Sequence, residues 1–183
     1  MLSLEQEPPN QSVVVIPSCT LGGGVKLRDV LADCGWDVDA LALGEKMPPG
    51  GVKHVQMEGY DHDETGYTYG GSFPVEKAFD GLGEVILAYE MNGEELPRDH
   101  GYPVRMLIPG HVGARQVKWL HKIILSNEES TKSYQCKSYR HFAPDITFEK
   151  GKQADTVINV VHYVFCLAFV GRTRLNQCSM NHV

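Results

Sequence analysis

The sequence predicts one α-and-β domain in which short strands outnumber short helices. Three observations carry that reading. Apolar or β-branched runs of strand length stand at 12–17, 52–59 and 84–93. Helical spacing is confined to two short stretches, 25–35 and 72–80. A centre rich in Gly and Pro separates the last strands. The length of 183 residues suits a single domain able to bury a core, and 42% apolar with 22% charged residues is the composition of a soluble globular protein. A net charge of −6 gives no reason to expect nucleic acid or an anionic membrane as partner. An acidic chain that binds an anion must gather its positive charge locally.

The elements follow in order. Met1 to Ser12 is polar, carries two prolines and is expected to fray. SVVVIP (12–17) is β-branched and reads as a strand. Leu21-Gly-Gly-Gly24 lacks the spacing of a phosphate loop and reads as a flexible turn. VKLRDVLADCG (25–35) sets Leu27, Val30, Leu31 and Cys34 on one helical stripe and stops at Gly35. LGEKMPPGG (43–51) is a loop, and the alternation in VKHVQMEG (52–59) is that of a strand. The run from Asp61 to Gly66 begins like a calcium loop, but its twelfth position falls on Ser72 where a bidentate carboxylate is required, which rejects calcium.

SFPVEKAFD (72–80) offers Ser72 as a helix N-cap and Pro74 in the first turn. EVILAYEMNG (84–93) is a strand closed by the turn pair Asn92-Gly93. In GARQVKWLHKIILS (113–126), alternation at Val117, Trp119, His121 and Ile123 favours a further strand. Residues 127–149 are polar and loop-like, and no internal repeat is present. The apolar run 155–170 is shorter than the roughly 20 residues of a membrane span and is interrupted by His162. It suits a buried strand or an exposed sticky segment.

Cys19, Cys34, Cys136, Cys166 and Cys178 show no C-x-x-C spacing and are odd in number, which argues for scattered thiols and against a disulfide framework. Nor do the eight histidines supply a structural zinc pattern. The acidic start MLSLEQEPPNQS has no apolar core of a signal peptide and is not an Arg-rich transit peptide.

The densest chemistry lies between Tyr89 and Trp119, in YEMNGEELPRDHGYPVRMLIPGHVGARQVKW. Turn-forming residues there bring His100, Arg105, Arg115 and Lys118 into one loop-rich region between strands, EVILAYEM before and PVRMLIPG within. Cations on loops held by strands make an anion cradle; the plainer reading is a set of solvated surface charges.

MNGEELPRDHGYPVR followed by PGHVGARQVKWL closely resembles the molybdopterin-binding domain of eukaryotic sulfite oxidases, with assimilatory nitrate reductases as the sister family. The resemblance runs from about Lys26 to about Ile146. It implies an α+β fold of mixed, mostly antiparallel sheets with a few short helices. It divides the chain into a divergent segment 1–25, a partial molybdopterin-binding domain 26–149 and a divergent tail 150–183.

The implied chemistry is oxygen-atom transfer at molybdenum, taking sulfite to sulfate with electrons passed to a haem domain or cytochrome c. By resemblance Asp61, His100, Arg105 and the run Gln116-Val117-Lys118 contact the molybdopterin cofactor, and Tyr139 is the active-site tyrosine. An acceptor at Asp61 suits the amino and ring N–H donors of a pterin, and Lys118 is a point charge suited to phosphate. Gln116 stands where animal sulfite oxidases commonly have histidine. Nitrate reductases typically lack the tyrosine, so Tyr139 favours sulfite. Arg98 and Arg115 are cations expected behind the contacts, and taken singly Tyr139 and His100 also suit an amphipathic rim residue and a loop brace.

One departure counts against completeness. The family's molybdenum ligand is a cysteine thiolate well upstream of the LRDVL helix, a soft ligand suited to such a site. Only Cys19 precedes that helix here, in the unlike context PSCTLGG, and no metal ligand is assigned. The family's haem domain and immunoglobulin-like dimerisation domain also find no counterpart. The expectation is a chain holding part of the pocket, retaining molybdenum poorly, whose family works as homodimers in the mitochondrial intermembrane space. A non-catalytic cofactor-binding module, an unstable fragment and a nitrate reductase-like chain are the alternatives.

Overall fold

In chain order the strands are β1 (Gln11–Ile16), β2 (Thr20–Lys26), β3 (His54–His62), β4 (Thr68–Pro74), β5 (Ile86–Met91), β6 (Glu94–Glu95), β7 (Arg105–Leu107) and β8 (Leu120–Ser126). The helices are α1 (Leu27–Asp33), α2 (Val38–Ala42), α3 (Glu76–Phe79) and α4 (Ser133–Cys136), with single 3-10 turns at Pro49–Gly51, Arg98–His100 and Gly113–Arg115. This computed structural model describes residues 11–16, 20–80, 84–137 and 139.

The strands form two sheets whose described pairings are all antiparallel. The first runs β1-β2-β5, and the far edge of β5 is shared between β6 and β7. The second runs β4-β3-β8 with β3 at its centre. The α+β class with mostly antiparallel sheets and short helices is therefore the observed one.

Alternation explains the second sheet. Val55 and Met57 of β3 are fully buried while His54, Gln56 and Glu58 are half-buried, the period of two that gives a strand one inward face. Phe73 of β4 adds to that face. Leu27 and Leu31 of α1, Leu41 of α2 and Phe79 of α3 join the same core, as do Met106, Ile108 and Val117 from the central stretch. Each fully buried aliphatic side chain contributes about 1.5–3 kcal/mol.

Several local expectations give way to tertiary context. The glycine triplet is not a turn but the middle of β2, and its register with β5 shifts between Gly23 and Gly24. A Cβ on Gly24 would clash with the Leu87 carbonyl and sit 2.7 Å from Ala88 Cα. Glycine serves there for close backbone approach at a bulge. Val25 and Lys26 pair with Leu87 and Ile86, so α1 starts two residues later than its periodicity implies. Cys34, placed on the core stripe by its spacing, is exposed beyond the end of α1. The spacing did not reveal α2, which Asp37 caps by accepting from the Ala40 N–H at 3.3 Å.

Ser72 is no helix cap. It lies in β4, its N–H donates to Gln135 Oε1 at 3.2 Å, and its Oγ accepts from the Ser130 N–H at 2.9 Å. Pro74 ends this edge strand, a tolerated place for proline, and helix α3 is correspondingly short. The expected strand over 113–126 begins only at Leu120. Residues 113–115 form a 3-10 turn, and Trp119 takes φ of 48°, which interrupts extended backbone. The Asn92-Gly93 turn has φ of 57° and 82°, as a tight hairpin between β5 and β6 requires. Cys19, Cys166, Cys178 and the tail 150–183 lie outside the described residues, as does nearly all of the segment expected to fray. No helix among the described residues is long and apolar enough to cross a membrane.

Gly24→Val is expected to destabilise the chain by about 3 kcal/mol through overpacking against β5. Gly113→Ala, whose Cβ meets nothing within 4 Å, is expected to change stability by less than about 0.5 kcal/mol. Urea unfolding of both variants checks the pair.

Candidate cofactor site

The stretch from Pro97 to Leu120 folds into two strands of loop zipped by backbone bonds. Pro97 opens the 3-10 turn Arg98–His100, and Gly101 closes it at φ of 112°. A Cβ on Gly101 would lie 2.9 Å from Lys118 Cβ, so a side chain there would push the loops apart. The Trp119 N–H donates to Gly101 O, Leu120 N–H to Val104 O and Met106 N–H to Val117 O, at 3.2, 2.8 and 2.9 Å. The Trp119 indole donates to Arg98 O at 2.9 Å. The peptide before Pro103 is cis. This zipper sets Arg105 beside Gln116 and Lys118.

Between the zipper, β3 and β4 lies a cavity of about 320 Å³, walled by Asp61, Tyr69, Arg105, Gly113, Ala114, Gln116, Lys118, Trp119 and Tyr139. A second, more apolar cavity of about 450 Å³ adjoins it, sharing Asp61 and Trp119 and adding Tyr60, Tyr102 and His121 among its walls. Two walls of the first cavity each hold a buried polar atom without a partner: the acceptor Asp61 Oδ1 and the donor Arg105 Nε. Such groups carry a desolvation penalty of about 1–3 kcal/mol each, which a ligand with complementary groups removes. The remaining nitrogens of Arg105 are fixed, Nη1 donating to His100 O at 3.1 Å and Nη2 to Gln116 O at 3.5 Å. Burial pushes the Arg105 guanidinium below its ordinary value, although an arginine stays protonated in a protein.

The other walls add charge and shape. Lys118 Nζ donates to Asp99 O at 3.0 Å and lies 4.2 Å from the Trp119 ring centroid, a cation–π arrangement. Gln116 Nε2 donates to His111 O at 3.3 Å. The Tyr69 hydroxyl donates to Ala114 O at 2.8 Å, and its ring lies 4.4 Å from that of Tyr134. Burial chiefly, then Tyr139 nearby, pushes the Tyr69 phenol up to about 12. Tyr139 itself is 54% exposed at the mouth of the site.

Of the residues singled out from sequence, Asp61, Arg105, Gln116, Lys118 and Tyr139 meet in this cavity. His100 does not line it; its ring is exposed, and its carbonyl braces Arg105. The Val117 side chain is buried in the core, so only its backbone can face a ligand. Arg115 is wholly buried and Arg98 exposed, so the picture of solvated surface charges fails for the first. Sequence reasoning missed Tyr69, Gly113, Ala114 and Trp119 as walls. The Lys118-Trp119 pair was the one available signal, since a cation beside an indole can stack on it.

The described cysteines stand apart. Cys34 is exposed at the end of α1, and the Cys136 thiol donates to Ser130 O at 3.2 Å. Among the described residues no cluster of three or more His, Cys, Asp or Glu could hold a metal. The cavity thus offers an acceptor, a guanidinium donor and an ammonium, a set that fits a heterocycle bearing N–H donors and an anionic group.

Comparison with known proteins agrees with this chemistry. The family described as oxidoreductase molybdopterin binding domain matches residues 13–134. Human mitochondrial sulfite oxidase is 45% identical over 126 residues, covering 69% of this chain and 21% of the human protein. Sulfite oxidase of Arabidopsis thaliana is 40% identical over 129 residues, covering 69% and 32%. NADH nitrate reductase 2 of Phaseolus vulgaris is 39% identical over 140 residues, covering 73% and 15%. The crystal structure of the sulfane dehydrogenase SoxCD from Paracoccus pantotrophus superposes with a TM-score of 0.54 at 30% identity, covering 69% of this chain and 28% of that one. The chain spans about a fifth of the length of the human relative. With the profile, the fold and the matched relatives in agreement, the chain belongs to the oxidoreductase molybdopterin-binding domain family, related to both sulfite oxidases and nitrate reductases.

Proposed function

We propose that this chain carries the pterin- and phosphate-binding part of a sulfite-oxidising molybdenum enzyme. The observation that supports it is that Asp61 and Arg105, two walls of one cavity beside Lys118, each hold a buried polar atom without a partner, Oδ1 and Nε. When bound, the molybdenum–molybdopterin cofactor supplies oxygen-atom transfer and takes up the two electrons released as sulfite becomes sulfate.

In this reading each residue has a limited task. Asp61 accepts from pterin N–H groups, and Arg105 donates its free Nε–H from a side chain already braced by His100 and Gln116 carbonyls. Gln116 adds a side-chain amide, Val117 its backbone, and Lys118 a compact cation for phosphate. Tyr139, at the open side, donates its phenolic proton in a hydrogen bond to the oxyanion substrate and can move that proton as charge changes. The described residues are assigned the organic part of the cofactor and no metal ligand, because no described thiolate faces the cavity.

The names of the animal and plant relatives support sulfite as substrate, and the tyrosine at 139 agrees. The bean relative supports a nitrate-reducing second reading. Further parts of the proposal are electron delivery to a haem domain or cytochrome c, assembly as a homodimer, and residence in the mitochondrial intermembrane space. The relatives' mitochondrial names support only the organelle.

The chain, produced in a host that makes the cofactor, is expected to carry pterin. Arg105→Leu and Asp61→Asn are each expected to lower pterin content at least tenfold, the loss of about 1.4 kcal/mol or more from one charge-assisted bond, with far-UV circular dichroism unchanged. Undiminished pterin in both variants would overturn the assignment. In protein that turns over sulfite, Tyr139→Phe is expected to lower kcat about 100-fold while leaving pterin content intact. Reduction of nitrate in place of sulfite oxidation would favour the second reading, and pterin without any turnover would leave a binding module.

A further inference from the structure

Arg115 has 0% exposure, yet it is not a wall of the cavity. Its neighbours Ala114 and Gln116 are walls, and so is Tyr139, 24 residues further on. The Arg115 guanidinium connects them: Nη1 donates to the Tyr134 carbonyl at 3.3 Å and Nη2 to the Tyr139 carbonyl at 3.2 Å. On the β4 side the fit is close, since a Cβ on Gly71 would stand 3.4 Å from Arg115 Cδ. Tyr69 ties the same two pieces in parallel, by its hydroxyl to Ala114 and by its ring to Tyr134.

Burying a guanidinium is unfavourable unless its donors are met, and an aliphatic side chain would fill the volume without that penalty. What an aliphatic residue cannot do is hold two carbonyls in a fixed planar fork. We infer that Arg115 is a positioning residue: by its bond to the Tyr139 carbonyl it locks that residue to the loop that walls the cofactor cavity, and so sets the tyrosine relative to the cofactor. The significance for the reaction rests on the cofactor reading above. The lock itself is a property of the chain without cofactor, and it can be measured there.

The test is fluorine NMR of the full chain grown with 3-fluorotyrosine, the Tyr139 line being assigned by its disappearance in Tyr139→Phe. In Arg115→Met the Tyr139 line is expected to move to the position of tyrosine in the urea-unfolded chain, with the exposed Tyr67 line unmoved. Arg115→Lys, which keeps the charge but loses the fork, is expected to move it part of the way. Ile108→Val, a core truncation that weakens the fold without touching the lock, is expected to leave it in place. An unmoved Tyr139 line in Arg115→Met overturns the inference, as does an equal displacement in Ile108→Val. Should Arg115→Met fail to fold, an unmoved line in Arg115→Lys overturns it. Pterin content is measured separately, so failure of the lock and failure of the cofactor assignment are distinguishable.

Discussion

A guanidinium without solvent contact must be met by acceptors on the protein, and the region around the cavity is arranged to do this for Arg115. Two acceptors are the carbonyls of Tyr134 and Tyr139, which lie against the 3-10 turn carrying the arginine. Other bonds hold the segment there. The Ser130 N–H donates to Ser72 Oγ, Gln135 Oε1 accepts from the Ser72 N–H, and Lys132 Nζ donates to Thr68 Oγ1 at 2.6 Å. Edge strand β4 is thereby covered by polar partners in register, which also blunts it against pairing with another chain. Each bond adds only about 0.5–1.5 kcal/mol, but removal of one partner would strand a buried group.

Around this anchor the chain divides its tasks. The sheets and α1–α3 supply apolar burial, and the zipped loops from Pro97 to Leu120 supply the cationic walls of the cavity and Gln116, with Asp61, Tyr69 and Tyr139 completing its polar lining. Met106, Ile108 and Val117 connect the two tasks, because their side chains enter the core while their neighbours Arg105, Gln116 and Lys118 face outward. The site is built by alternation along a loop, and its precision derives from a packed core beneath. The unpartnered Asp61 and Arg105 atoms run against the rule that buried polar groups are satisfied, and such local departures concentrate at functional sites.

Much of this was legible in the residues and some was not, for physical reasons. The runs at 52–59 and 84–93 declare themselves because alternation and turn chemistry agree with their tertiary setting. The glycine triplet misleads because glycine carries no side chain to show a period of two, and its purpose is a neighbour 64 residues away in Ala88. Ser72 has the residue type of a helix cap, but its partners are Ser130 and Gln135, beyond any local window. The cavity walls Arg105, Gln116 and Lys118 were reached through the long motifs around them, and Asp61 and Tyr139 through the wider family resemblance. Tyr69 sits in GYTYGGS, where no spacing distinguishes a cavity wall from an exposed ring. The burial of Arg115 depends on carbonyls 19 and 24 residues downstream, which sequence pattern does not express.

On the proposed function a pterin occupies the cavity beside Trp119, and the fluorescence of that indole reports its binding. Of the two tryptophans, Trp36 packs on the core and Trp119 lines the cavity. In a Trp36→Phe chain, titration with molybdopterin should quench the remaining Trp119 emission saturably, at one pterin per chain. Quenching that never saturates, or that survives only through Trp36 in a Trp119→Phe chain, would contradict it.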